Sequence, residues 1–210
     1  METLTYDRLS HQQRKVAYES WKETFGIERF KRLRSHTIET LNAITDDLSC
    51  DIHVDVDDDA ILFLNVPLIE TVINCIDMCA HGECYPTVNL PEVRANDDPF
   101  TTLAHNRWNA HCHEIYSVIA EALNKAKAIA TDVDQLTENE IQDMLEPSVE
   151  VVRETMLNAY DDTISTVARR MAKECVNSLS TETFIESVRR DNLRFASDGT
   201  VRYAVLDGGK

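Results

Sequence analysis

The chain has 210 residues, with 21 Lys and Arg against 37 Asp and Glu, so its formal net charge at pH 7 is −16. Hydrophobic residues make up 43% and charged residues 28%, which is typical of a soluble globular protein and excludes a disordered tail. Because only five Gly and five Pro residues occur, a large all-β or Rossmann-type fold is disfavoured and a mainly helical fold is expected.

The first third of the chain predicts two helices followed by a β-hairpin. Residues 6–25 and 27–44 repeat apolar side chains near the helical period, and Gly26 is expected to separate the two helices. From Asp51 onward apolar and polar residues alternate, so a hairpin is predicted over about 51–65.

Two further helices are predicted in the middle of the chain. Pro67 suits the first turn of a helix that runs to about Ala80, and residues 81–98 are expected to form a long loop. Asp98 followed by Pro99 is typical of a helix start, and that helix is expected to reach about residue 130.

The last third predicts the longest amphipathic helix. Thr137 and Glu140 have the spacing of a capping box, and Pro147 is expected to kink or restart the helix that follows. The apolar period then continues to near Leu179. A short helix over 183–190 and a second hairpin complete the prediction.

These elements predict an α+β fold that is predominantly α-helical, with a helical-bundle core and two small β-hairpins at about 51–65 and 192–206. Residues 1–26 are expected to form an N-terminal helical arm, and residues 27–210 a single mostly helical domain. The sequence contains no secretory signal pattern, no apolar run of membrane-spanning length and no N-x-[ST] motif, so a cytoplasmic location is predicted.

Histidines and cysteines between residues 75 and 113 make a metal site one hypothesis. Zinc prefers thiolate and imidazole ligands, and a helix end followed by a loop could face a second helix that carries more of them. The spacing lacks the paired C-x2-C element of common structural zinc sites. The candidate ligands are Cys79, His81, Cys84, His105, Cys112 and His113.

The sequence contains none of the common catalytic motifs for nucleotide, hydride or acyl-transfer chemistry. Cys112 stands between two histidines, but sequence neighbours on a helix do not face each other, so a catalytic pair is not indicated. Glu140 and Asp143 have half of a helical magnesium motif. A zinc- or magnesium-dependent hydrolase is therefore kept as an alternative function, while the favoured interpretation needs no cofactor.

The favoured interpretation follows from the distribution of charge. Residues 35–162 carry five basic and 26 acidic side chains, a net −21, between weakly basic ends. Such a negative field repels nucleic acid and attracts a basic surface. The alternative explanation is that the acidic surface serves only to keep the protein soluble. We therefore expect a non-enzymatic protein that docks on a basic protein partner. It would act as an inhibitor or DNA mimic of a nucleic-acid-binding protein. No direct contact of the acidic middle with nucleic acid and no membrane binding are expected.

Acids in predicted turns and loops are the expected partner-binding residues: Asp55, Asp57, Asp58, Asp59, Asp97, Asp98, Asp132, Asp134, Glu138 and Asp143. A third alternative is a homo-oligomeric assembly, in which the long helix after Pro147 and the basic N-terminal segment pack against copies of the chain.

Overall fold

The computed structural model describes residues 3–55, 60–83 and 87–202, and of residues 53–55 and 60–64 only the backbone is described. Its helices are α1 (His11–Trp21), α2 (Ile27–Leu48), α3 (Pro67–Ala80), α4 (Pro99–Ala130), α5 (Glu138–Asn177) and α6 (Thr181–Arg190). Two antiparallel hairpins pair β1 (Asp51–Asp55) with β2 (Ala60–Asn65), and β3 (Arg194–Phe195) with β4 (Val201–Arg202). The predicted α+β, predominantly helical fold is confirmed.

Most predicted helix boundaries are found close to their capping signals. At the start of α5, Glu140 Oε2 accepts hydrogen bonds from the Thr137 backbone N–H at 2.8 Å and from its hydroxyl at 2.7 Å. The first helix begins later than predicted, because Ser10 and Gln13 form a capping box at its start. The residues before that cap include a separate 3-10 helix, Tyr6–Arg8.

Gly26 does not separate two helices, which corrects the sequence prediction. A π-helical segment, Lys22–Gly26, joins α1 directly to α2. Gly26 is buried, and a Cβ atom at this position would lie 2.8 Å from Leu179 Cδ2. The glycine therefore allows the Leu179 side chain to pack closely against the helix backbone. The sequence pattern had instead indicated a helix end at this position.

Pro147 lies inside α5 and does not restart it. Leu145 and Val149 are both buried, so the apolar face continues on either side of the proline. Proline removes one backbone N–H donor, and packing of this face outweighs that loss. The result is one helix of 40 residues.

The chain divides into two compact units, one of residues 1–38 with 170–210 and the other of residues 39–169. We call them unit 1 and unit 2. Unit 2 holds six of the basic and 26 of the acidic side chains, a net charge of −20, whereas unit 1 has a net charge of +4. The predicted domain limits at 1–26 and 27–210 stay a prediction.

Unit 1 has an aromatic core centred on Phe184, a fully buried residue of α6. The Phe184 ring lies 5.4 Å from the Trp21 ring and 5.5 Å from the Tyr6 ring, measured between centroids. Leu4 and Phe195 exchange backbone hydrogen bonds at 2.8 and 3.0 Å. The N-terminal segment thus packs on the C-terminal hairpin.

In unit 2, a pair of buried aromatic side chains joins α4 to α5. The rings of Trp108 and Tyr160 lie 4.9 Å apart, and both side chains are fully buried. The Tyr160 hydroxyl donates to the carbonyl of Leu48 at the end of α2, at 3.2 Å. Trp108 Nε1 donates to the carbonyl of Pro91 at 2.7 Å, which holds the loop before α4. Among the described residues, every helix is too short or too polar to span a membrane.

The turn of the second hairpin requires glycine at position 199. Gly199 has φ +95°, and a Cβ there would lie 2.5 Å from the Gln13 carbonyl oxygen. We expect Gly199→Ala to lower the free energy of unfolding by about 2 kcal/mol or more, since the positive φ costs about 1 kcal/mol and the backbone contact adds to it. Gly82→Ala is the matched control, because Gly82 has φ +73° with open space around it. Equal losses in denaturant unfolding would contradict this prediction.

Candidate interaction surface and candidate metal ligands

Acidic side chains form a continuous line along one face of α5. The line consists of exposed residues that follow each other at steps of three or four positions, which share a helix face. We call this set the acidic stripe: Asp143, Glu146, Glu150, Glu154, Leu157 and Asp161. Eighteen residue steps at 1.5 Å make it about 27 Å long.

The acids of the stripe have few basic neighbours in the part of the chain that the structure describes. Glu150 accepts a hydrogen bond from Arg153 at 3.3 Å, and Asp161 accepts one from the Ser165 hydroxyl at 2.8 Å. Like charges at these helical spacings destabilise a helix by about 0.2–0.5 kcal/mol for each pair. A surface of opposite charge would remove that repulsion.

Exposed apolar side chains border the acids. Leu157 is 37% exposed within the stripe, and Met144 and Val151 are 43% and 50% exposed on the adjoining face of α5. Met144 and Val151 are seven residues apart and therefore lie on one side of the helix. Three exposed apolar side chains therefore lie on or beside the line of acids.

The acids predicted from turns and loops lie in different parts of unit 2. Asp97, Asp132 and Asp134 are exposed outside the α-helices. Asp55 lies at the end of β1 with only its backbone described, and the run 57–59 lies outside the described residues. Asp143 is the only predicted acid that belongs to the stripe.

Two of the predicted acids have structural partners. Asp98 is half-buried and caps α4, since its Oδ1 accepts from the backbone N–H of Phe100 at 2.7 Å and of Thr101 at 3.3 Å. Glu138 lies 3.1 Å from His81 Nε2 through its Oε2. Both carboxylates thus have a role within unit 2.

Glu146, Glu150, Glu154 and Asp161 were not among the expected partner-binding residues. The sequence does contain a signal for these acids, because they recur at intervals of three and four residues and therefore share one helix face. The helix predictions used this spacing for apolar residues only. Assigning them to an exposed face also requires knowing which side of α5 is buried.

His81 is the candidate metal ligand with the most polar surroundings. Its Nδ1 lies 2.9 Å from the carbonyl oxygen of Asp77 and 3.8 Å from the Asp77 carboxylate, and its Nε2 contacts Glu138. The hydrogen bond to the Asp77 carbonyl raises the pKa of His81 above its usual value, and the bond to Glu138 raises it further. These contacts tie the end of α3 to the start of α5.

The other candidate ligands are dispersed along α3 and α4. The Cys79 thiol is buried, 3.8 Å from the Leu123 carbonyl oxygen, and His105 Nδ1 lies 2.7 Å from the Val93 carbonyl oxygen. Cys112 is half-buried and His113 is exposed. Burial raises the pKa of the Cys79 and Cys112 thiols above the usual value.

The described residues contain no group of three or more His, Cys, Asp or Glu side chains placed to hold a metal ion. Cys84 lies outside the described residues. The zinc site that includes it therefore stays a prediction.

A second titratable cluster joins α4 to α5. His111 Nε2 lies 2.9 Å from Asp162 Oδ2, and Arg107 Nη1 lies 3.7 Å from the same oxygen. The hydrogen bond from His111 lowers the pKa of Asp162, and Arg107 adds to this effect. Arg107, His111 and Asp162 therefore link α4 to α5 in unit 2.

Comparison with protein-family models, with curated proteins and with solved structures finds no match for this chain.

The role of Asp98 as a helix cap predicts a difference from its neighbour Asp97. We expect Asp98→Ala to lower the free energy of unfolding by about 1 kcal/mol, within the range of about 0.5–2 kcal/mol for a lost N-cap. Asp97→Ala should change it by less than about 0.5 kcal/mol, because Asp97 is exposed and caps no helix. Urea unfolding of both variants measures the difference, and equal losses would exclude the capping role.

The contact of His81 with Glu138 predicts a pH dependence. Because the folded pKa of His81 is raised, its stabilising effect is complete below the unfolded pKa of about 6.5 and is lost as the pH rises through the folded pKa. We expect Glu138→Gln to lower the His81 pKa in an NMR titration and to reduce this pH-dependent part of the stability. Asp134→Asn, which removes a nearby acid in sequence, should leave the His81 pKa unchanged. A His81 pKa that Glu138→Gln does not move would contradict the assignment.

Proposed function

We propose that this protein is a non-enzymatic interaction protein that docks its acidic stripe on a basic surface of a protein partner. The observation that carries the proposal is the arrangement of five exposed carboxylates on one face of α5, with no more than one of them, Glu150, in a described ion pair. Exposed Leu157 within the stripe and exposed Val151 on the adjoining face add apolar area next to these carboxylates.

The charge density of the stripe supports a partner that otherwise binds nucleic acid. One strand of duplex DNA carries a phosphate about every 3.4 Å of its axis, so about eight phosphates span the length of the stripe. Five carboxylates over the same length have somewhat more than half of that charge. We therefore propose an inhibitor or DNA-mimic-like binder, which neutralises such a surface without offering the partner a base sequence.

A cytoplasmic location is part of the proposal. The described cysteines are all free: Cys50, Cys75, Cys79, Cys112 and Cys175. Reduced thiols are typical of the cytoplasm, where disulfides are rare.

Neutralising the stripe tests the proposal. The variant combines Asp143→Asn, Glu146→Gln, Glu150→Gln and Glu154→Gln, and the probe is a fluorescent lysine-rich peptide titrated at low salt. We expect the Kd to weaken at least about tenfold, because four exposed ion pairs at about 0.2–1 kcal/mol each are removed. Wild-type binding should also weaken as the salt rises from about 0.05 M to about 0.3 M.

The control variant removes the same amount of charge from exposed acids of unit 2 outside the stripe: Glu39→Gln, Glu70→Gln, Glu83→Gln and Glu92→Gln. It should bind the peptide within about threefold of wild type. Equal weakening in both variants would mean that net charge alone attracts the peptide, and the stripe would then have no special role.

Affinity capture from a cell extract then tests the class of partner. A partner that otherwise binds nucleic acid should be released from the immobilised protein by short duplex DNA, and the stripe variant should not retain it. A partner that resists both duplex DNA and high salt would contradict docking through charge.

A further inference from the structure

Unit 1 presents a surface whose charge is opposite to that of the stripe. Along α2, four exposed residues follow each other at steps of four, three and four, so they share one face. We call this set the basic face: Ile27, Lys31, Arg34 and Ile38. Ile27 and Ile38 are 44% and 51% exposed, which is unusual for isoleucine in a helix of a folded unit.

The second half of the stripe repeats the same spacing. Glu150, Glu154, Leu157 and Asp161 also follow each other at steps of four, three and four. Both sets cover 11 residue steps, or about 17 Å of helix. Residues at this spacing stay on one side of a helix over several turns, so two helices that carry it can pack side by side through these residues.

We propose that a second copy of this chain docks its basic face on the acidic stripe. The inference rests on the proposed function, since it names one occupant of that site. Lys31 and Arg34 supply the positive charges that the stripe lacks. The copy then occupies the place of a basic partner, so the two compete.

The basic face is available for this contact. The described ion pair of Lys31 is with Glu28 at 3.6 Å, and both side chains are more than 60% exposed. Exposed pairs of this kind contribute about 0–1 kcal/mol, so exchanging Glu28 for the stripe costs little. The two end residues of the face, Ile27 and Ile38, are uncharged, so its positive charge lies in the middle, at Lys31 and Arg34.

The contact joins different surfaces of the two copies, so it is heterologous. Such contacts form closed rings or open chains. In an open chain, the copy at each end keeps one unused face. Two short helix faces bury less area than stable dimers do, so a weak, salt-sensitive association is expected.

The experiment uses two full-length variants. The first, Lys31→Gln with Arg34→Gln, lacks the positive charge of the basic face, and the second, Glu150→Gln with Glu154→Gln, lacks charge in the stripe. Sedimentation velocity at low salt should show self-association of wild type and at least about tenfold weaker association of each variant alone. A mixture of the two should form a 1:1 complex, because one variant keeps the stripe and the other keeps the basic face.

A matched control neutralises two exposed basic residues elsewhere in unit 1, Arg8→Gln with Lys15→Gln, and should self-associate like wild type. Circular dichroism melting checks that all variants stay folded. A wild-type chain that stays monomeric at the highest concentration, or a mixture that associates no better than its components, would overturn the proposal.

The lysine-rich peptide separates this proposal from the proposed function. If the chain is monomeric but the peptide still binds through the stripe, the second copy is not the occupant and the proposed function stands. If the neutralised stripe leaves peptide binding unchanged, the proposed function itself fails. Competition between the peptide and self-association is the expected result.

Discussion

The contact between Trp108 and Tyr160 is the constraint on which unit 2 depends. The two rings join α4 to α5, the Tyr160 hydroxyl holds the end of α2, and the Trp108 indole holds the loop before α4. Burial raises the pKa of Tyr160, so its hydroxyl remains a donor at all ordinary pH values. This contact sets the rotation of α5 about its axis. With Met156, Tyr160 and Ile164 turned to the core, the line from Asp143 to Asp161 is turned to solvent.

The proposed function and the proposed self-association both start from the separation of charge between the two units. Unit 2 concentrates a net −20 and unit 1 a net +4, and the acids of the stripe repel each other along α5. A basic surface docked on the stripe, as proposed, would remove that repulsion. The basic face of α2 is one surface that has the required charge and spacing.

The candidate site was predictable only in part, and the reason is geometric. Acids in turns and loops, such as Asp97 and Asp132, are exposed because these segments lie on the surface. The sequence alone is therefore enough to predict their exposure. Choosing acids within a helix requires knowing which face is buried, and at 3.6 residues per turn any of several faces can hold a line of acids. Asp98 was predicted both to start α4 and to bind a partner, and the structure confirms the first role, because its carboxylate caps α4.

The sequence by itself determined the helical class, both hairpins and the starts of α3, α4 and α5, because caps, prolines and apolar period act through neighbouring residues. Tertiary structure decided what Gly26 and Pro147 do. Gly26 admits the Leu179 side chain within a continuous helix, and Pro147 is tolerated where Leu145 and Val149 stay buried. It also decided that five acids of α5, between Asp143 and Asp161, lie on one exposed face. These outcomes depend on partners more than 100 residues away or on which helix face is buried, and local sequence contains neither.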